Sequence, residues 1–432
     1  MTGSMTPITL GRDRVGPEPR PEPPRLLGIF ASWRLQAYGY TLAAFYAACL
    51  VYVYWLGAWL VNTSGVPLYH DFTNIWVAVT EALHGKAAAV YDQAAQMKAQ
   101  EALVGAGKAV FLTWPYPPTY LLFLAPLGTL SYIPAFIIWQ LGTLLGCVVV
   151  VYFIVNRREA IALILASPFA VCNVLTGQSG FVTATLLGGS LLFLERRPAL
   201  AGAFIGCLTY KPQFGILLPL ALAAANQWRA FVSAAVTAVI LTGASIAAFG
   251  TEPWVAFPQE LAAHANGTVF GNDTNEWGYF QTVYGLIRHL NGGPALGWVA
   301  QGLTTSGIAV IVWTVWHSSV RYPLKAATLS AAALIATPYA YGYDLAAIVI
   351  PFAFLAKDQI DRGLLKGEQT TMLGLFAASF SVLPTAGRSP IGALIMLTLF
   401  YLILRRVLGD LRSRAYSPYA SARFPFRMHH NF

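Results

Sequence analysis

The chain has 432 residues, of which 56% are hydrophobic and only 10% charged. A soluble domain carries about 25% charged residues, so this sequence cannot build a water-facing shell, and an ordinary cytosolic enzyme or a disordered protein is excluded. The net charge of +9 sits at the edges of apolar blocks, which points to membrane orientation and away from nucleic acid as a partner.

Residues 1–34 hold six prolines and five arginines and read as a disordered basic cytoplasmic tail. The first apolar block, Tyr38 to Val61, is long enough to span and no small-residue cleavage site follows it, so it is expected to remain as an anchor. Basic clusters at Arg157/Arg158, Arg196/Arg197, Arg229, Arg321/Lys325, Lys357–Lys366 and from Arg405 onward are placed inside. Spans are then expected near 37–61, 134–155, 160–176, 181–195, 199–211, 213–228, 230–250, 295–317, 322–337, 345–356, 370–385 and 391–406. This arrangement puts 21 Lys/Arg inside and six outside (Lys86, Lys98, Lys108, Lys211, Arg288 and Arg388), with both termini cytoplasmic.

The expectation is thus an all-α polytopic protein of the plasma membrane with about 12 transmembrane helices. Several spans are too short to cross about 30 Å of hydrocarbon as straight helices, so they are read as half-helices or cavity-lining segments. The stretch 117–131 reads as re-entrant or oblique. The membrane domain covers 35–408, with outer loops at 62–116 and 251–294, and 409–432 is a cytoplasmic tail. In the first loop, the spacing of Ile75, Val79 and Leu83 predicts an interfacial amphipathic helix over 72–84. Cys49, Cys147, Cys172 and Cys207 all lie in apolar segments without metal-ligand spacing, so no disulfide is expected.

In this topology five polar clusters fall on the outer face: His70-Asp71-Phe72, Trp114 to Pro118, Gly177 to Gly180, Tyr210 to Gln213, and Tyr339 to Asp344. One shared cavity at the outer leaflet follows. Asp71 reads either as a partly desolvated general base or as a helix N-cap. Asp92 reads as a cap. Lys211, followed by the helix-breaking Pro212, suits an anion such as a phosphate, or else a salt bridge. Asp344 can orient a sugar hydroxyl or pair with Lys211. His70, Tyr116, Gln178, Gln213, Tyr341 and Tyr343 complete the candidate substrate-binding set: tyrosine faces with hydroxyl tips suit carbohydrate, Gln178 offers donors and acceptors or only a turn, and the His70–Asp71 dyad also reads as structural. Asp273 and Glu276, beside Trp277, read as a solvated loop. No P-loop, dinucleotide motif, HExxH or Asp-x-Asp pair occurs, so no metal or cofactor site is expected.

At these residues the sequence resembles glycosyltransferase family 87, membrane enzymes of the GT-C superfamily. The matching elements are Asp71-Phe72 with Tyr91-Asp92, Tyr116-Pro117-Pro118, Gly177 to Phe181, Arg196-Arg197-Pro198 with Ala201-Gly202, Leu208 to Gln213, and Thr337 to Asp344, together about residues 68–355. The resemblance implies a GT-C-like bundle, a polyprenyl-phosphate-sugar donor, a lipid or glycan acceptor outside the cytoplasm, and inversion without a metal. Carried over, Asp71 is the general base, and Lys211 is expected to hold the donor phosphate. The family's phosphatidylinositol-mannoside mannosyltransferase branch has a Trp- and His-rich element where this chain has Tyr341-Gly342-Tyr343-Asp344, so neither mannose nor a catalytic histidine is carried over; the expected sugar is a hexose, with mannose one choice. The competing classes are a twelve-span secondary transporter and a lipid-linked glycan ligase.

Overall fold

The computed structural model describes residues 32–109, 113–265, 277–383 and 389–415. The basic tail up to residue 31, Asp273, Glu276, Arg388 and the end of the C-terminal tail lie outside the described residues. Within them all extended regular structure is helical, apart from isolated bridges at Trp59–Val61 and Val61–Pro67. The four cysteines are free.

Five helices are long and apolar enough to cross a membrane: Ser32–Trp55, Tyr132–Val155, Trp228–Phe249, Pro294–His317 and Ile391–Ala415. A sixth crossing is available if Glu159–Leu165 and Pro168–Thr176, bent by 51° at their junction, act as one span. The bend has a local cause, since Pro168 cannot donate a backbone N–H and opens a new helix at its first position. The protein is therefore an integral membrane protein.

The other predicted spans also form helices, but of 14 residues or fewer, such as Gly180–Phe193, Pro198–Cys207 and Tyr322–Ile335. Proline at the first helical positions (Pro198, Pro212, Pro323) sets where these segments begin. The stretch 117–131 becomes the short Pro118–Leu124 helix followed by a 3₁₀ turn, Ala125–Thr129.

Length and burial divide the helices into two kinds. The short Tyr322–Ile335 helix is buried on nearly every side, as expected for a helix that is apolar all round. The long Trp228–Phe249 helix instead exposes Val232, Val236, Val239 and Ile240, a face fit for lipid tails. It packs closely on Pro198–Cys207 through Gly202 and Gly206. A Cβ at Gly202 would lie 2.3 Å from the Ala230 carbonyl oxygen, and one at Gly206 would lie 2.5 Å from Thr237 Cβ. Small residues four apart permit such close helix approach where no hydrophobic effect drives association.

The predicted amphipathic helix appears at Asp71–Glu81, but its burial extends beyond one face. Asn74, opposite the apolar stripe, donates to the Thr113 carbonyl at 2.8 Å and accepts from Gln96 and Gln100 at 2.7 and 3.1 Å. The chain after this helix thus folds back over it, and polar partners satisfy the face that sequence periodicity assigns to water.

At the far end of Tyr322–Ile335, buried charges tie the last helices together. Arg406 lies 2.7 Å from Asp358 and 2.5 Å from Glu368, while Arg321 lies 3.2 Å from Asp358 and 2.9 Å from Asp410.

Candidate active site

Asp71 opens its helix, and the preceding His70 is the cap. Phe72 N–H donates to His70 Nδ1 at 3.2 Å, and the His70 N–H donates to Thr73 Oγ1 at 3.2 Å. His70 Nε2 meets the Tyr132 hydroxyl at 2.9 Å. Both ring nitrogens of His70 are thus engaged by the scaffold, and burial pushes its pKa down to about 4, so the ring is neutral. The geometry does not bring His70 to the substrate-binding group; it frees Asp71 from capping. Asp92 is a cap, accepting from Ala95 N–H at 2.8 Å.

The Asp71 carboxylate turns instead to Gln178, whose Nε2 donates to Oδ2 at 3.2 Å. The residue keeps part of its surface open, but its carboxyl group is densely surrounded. Burial pushes its pKa up to about 6. The Gln178 bond and the Lys211 charge pull it down, and the Asp344 charge pushes it up.

The spacing of glycines puts Gln178 there. Gly177 ends the Pro168–Thr176 helix in the left-handed region, φ 74°, where glycine is favoured. A Cβ on it would stand 2.5 Å from Phe72 Cβ, so the turn lies directly on the residue after Asp71. On the other side, a Cβ on Gly180 would stand 2.2 Å from the Tyr343 carbonyl oxygen. The turn is wedged between the two halves of the site. Asn173 holds it, accepting from Gly180 N–H at 2.7 Å and donating to Gln140 at 3.2 Å.

Lys211 sits where the chain leaves helix between two 3₁₀ turns, Leu208–Tyr210 and Pro212–Phe214. Its ammonium group lies 2.6 Å from Asp344 Oδ1, and both side chains are buried. Asp344 Oδ2 accepts from Tyr341 N–H at 3.0 Å. Two aromatic faces flank the ammonium, with the ring centroids of Tyr343 at 5.0 Å and Tyr116 at 5.6 Å. A buried charge needs a counter-ion and hydrogen bonds, and this site supplies both together with cation–π contact.

The model of glycosyltransferase family 87 matches residues 114–338, more than half of the chain. The chain belongs to glycosyltransferase family 87. It is accordingly a membrane glycosyltransferase. The family match covers Tyr116, Gln178, Lys211 and Gln213, while Asp71 precedes it and Tyr341, Tyr343 and Asp344 follow it. No match was found among curated proteins or among solved structures.

Of the residues singled out from the sequence, the structure gathers Asp71, Gln178, Lys211, Asp344, Tyr116, Tyr341 and Tyr343. Gln213 is half-buried, and its side chain makes no hydrogen bond to the described residues. Sequence reasoning missed His264. Its Nδ1 lies 2.5 Å from Thr113 Oγ1 and its Nε2 lies 2.7 Å from the Tyr339 hydroxyl. The signal was the spacing of Phe257, Glu260 and His264, which puts all three on one face of the Glu252–His264 helix. Asn173 and Gln140, the supports of the Gln178 turn, were also missed. Each is a lone polar residue in an apolar run.

Proposed function

We propose that this family 87 glycosyltransferase moves one hexose, mannose being one choice, from a polyprenyl-phosphate donor to a lipid or glycan acceptor at the outer membrane face. The observation that carries the reading is a carboxylate with a raised pKa, Asp71, held by Gln178 and close enough to the buried, Asp344-paired Lys211 to feel its charge. A base poised near neutral pH and a cation held in a low-dielectric pocket are what the reaction needs.

Asp71 takes the proton from an acceptor hydroxyl. The oxygen attacks the anomeric carbon, and the bond from that carbon to the donor phosphate oxygen breaks with inversion. The electron pair leaves on polyprenyl phosphate. Lys211 faces that developing charge, and Asp344 holds the lysine in place until the phosphate arrives. Phosphate is a good leaving group, so positioning and charge are the main resources of this metal-independent route. Tyr116, Tyr341 and Tyr343 line the proposed donor site beside Lys211.

Two observations favour the outer face. Basic residues outnumber acidic ones at the proposed inner ends, and Asp344 follows the end of the Tyr322–Ile335 helix opposite to Arg321. A bundle of about 12 crossings, some made of paired short helices, with both termini inside, is the topology that goes with this orientation.

The test is a transfer assay with purified protein in lipid, using radiolabelled polyprenyl-phosphate monosaccharides, membrane lipid extract and the Asp71→Asn variant. Label should enter a new product with wild type and not with the variant. Transfer at wild-type rate by a folded Asp71→Asn would overturn the base assignment, and flux of sugar without a new product would favour a transporter.

A further inference from the structure

We propose that His264 is a positioning residue of this site: held between Thr113 and Tyr339, it fixes the aromatic shelf that sits over Lys211. The inference rests on Lys211 holding the donor phosphate, as argued above.

The shelf belongs to the segment 337–343, which has neither helix nor strand to fix its shape. Its carbonyls are held from outside by Gln281 N–H on Ala340, at 2.8 Å, and Thr282 Oγ1 on Pro338, at 3.1 Å. Those bonds fix the backbone and leave the ring edges to be set by other contacts. His264 supplies one. In a single neutral tautomer, Thr113 Oγ1–H donates to Nδ1 (2.5 Å) and Nε2–H donates to the Tyr339 hydroxyl (2.7 Å). Tyr339 then donates to the Tyr341 hydroxyl at 3.2 Å. Every group in this chain donates in the same direction, the arrangement in which successive bonds reinforce one another. Burial keeps the His264 pKa down at about 4, so the neutral ring this chain requires is the form present at pH 7.

Tyr341 passes the constraint on in two ways. Its ring stacks on Tyr343 at 5.4 Å and 23°, and Tyr343 covers the Lys211 ammonium at 5.0 Å. Its backbone N–H also donates to Asp344, the counter-ion of that lysine. A displaced Tyr341 therefore disturbs both partners of Lys211. The Glu252–His264 helix has other anchors, Gln93 to Glu260 at 3.1 Å and the edge of Tyr91 against Phe257 at 6.0 Å, so truncating His264 does not undock it.

The experiment compares wild type, His264→Ala, His264→Gln, Tyr339→Phe and the double variant His264→Ala/Tyr339→Phe in lipid nanodiscs. It reads donor and acceptor KM, kcat, and the thermal-unfolding shift caused by polyprenyl phosphate without sugar. Residues acting through one another are not additive, so His264→Ala and Tyr339→Phe should each raise donor KM about tenfold, with the double variant no worse. Both should shrink the polyprenyl-phosphate shift and leave acceptor KM unchanged. Glutamine places an amide donor where Nε2 stands, so His264→Gln should stay within about threefold of wild type. A merely structural histidine would instead lower the melting temperature and spare donor KM. That result, or an acceptor KM that rises as much as the donor KM, overturns the inference. A wild type that neither transfers nor responds to polyprenyl phosphate overturns the donor reading itself, and the inference falls with it.

Discussion

Gln178 Nε2 stands 3.2 Å from Asp71 Oδ2, and this bond stabilises the ionised carboxylate. Asp71 must be deprotonated to accept a proton, so kcat/KM should rise with pH through about 6 and level off above it. Removing the donor, as in Gln178→Ala, favours the protonated acid and should move that limb to higher pH. Loss of the base in Asp71→Asn should cost about 10²- to 10⁴-fold. A Gln178→Ala profile with an unmoved acid limb would mean that the bond does not set the base.

Lys211 and Asp344 form a buried pair at 2.6 Å, and removing one partner strands the other. Lys211→Ala should lose about 3–5 kcal/mol of stability, whereas a well-packed Lys211→Leu/Asp344→Leu double variant should recover most of it. Transfer should not recover, because no cation then faces the donor phosphate. Thermal unfolding and transfer rates on the same preparations test this. Activity returning with stability in the double variant would reduce the pair to a structural role.

Gly180 is confined from two sides, with the Tyr343 carbonyl oxygen 2.2 Å and Asn173 Oδ1 2.7 Å from where a Cβ would stand. Gly180→Ala should therefore cost about 1–3 kcal/mol and push the Gln178 turn away from Tyr343. The activity loss should exceed what the lower melting temperature explains, since the turn carries the Asp71 partner. Equal and small losses in both would show that the turn can yield without moving Gln178.

Pattern and break points mark the helices well, because apolar runs and prolines are local signals. Length is harder: Tyr322–Ile335 reads as a span, yet the helix has only 14 residues, eleven of them buried in protein. The site was half legible. Asp71, Gln178, Lys211 and Asp344 stand out because polar residues are costly in such surroundings. What was hidden is which atoms meet. His70 beside Asp71 reads as a substrate group or as a structural residue, and its bonds to Phe72 and Tyr132 show that it caps the helix. His264 reaches the site from the end of the Glu252–His264 helix, and no spacing within one segment announces a contact with Tyr339, 75 residues away.

Far from the proposed chemistry, Arg406 offers a control that separates fold from function. Its guanidinium bonds Glu368 through Nε and Nη2 at 2.7 and 2.5 Å, and Asp358 through Nη1 at 2.7 Å. It also donates to the Gly363 carbonyl at 2.6 Å. Lysine is a point charge and cannot reproduce this planar fork, so Arg406→Lys should be destabilising despite the kept charge. Arg406→Met leaves two buried carboxylates short of a partner and should cost more, about 3–5 kcal/mol. The helices joined here are Val349–Arg362, Glu368–Ser379 and Ile391–Ala415, so loosening should begin at the C-terminal end. Hydrogen exchange should then rise first in these helices, while donor KM stays at its wild-type value below the melting temperature. A raised donor KM in folded Arg406→Met would couple this cluster to the site and end its use as a control.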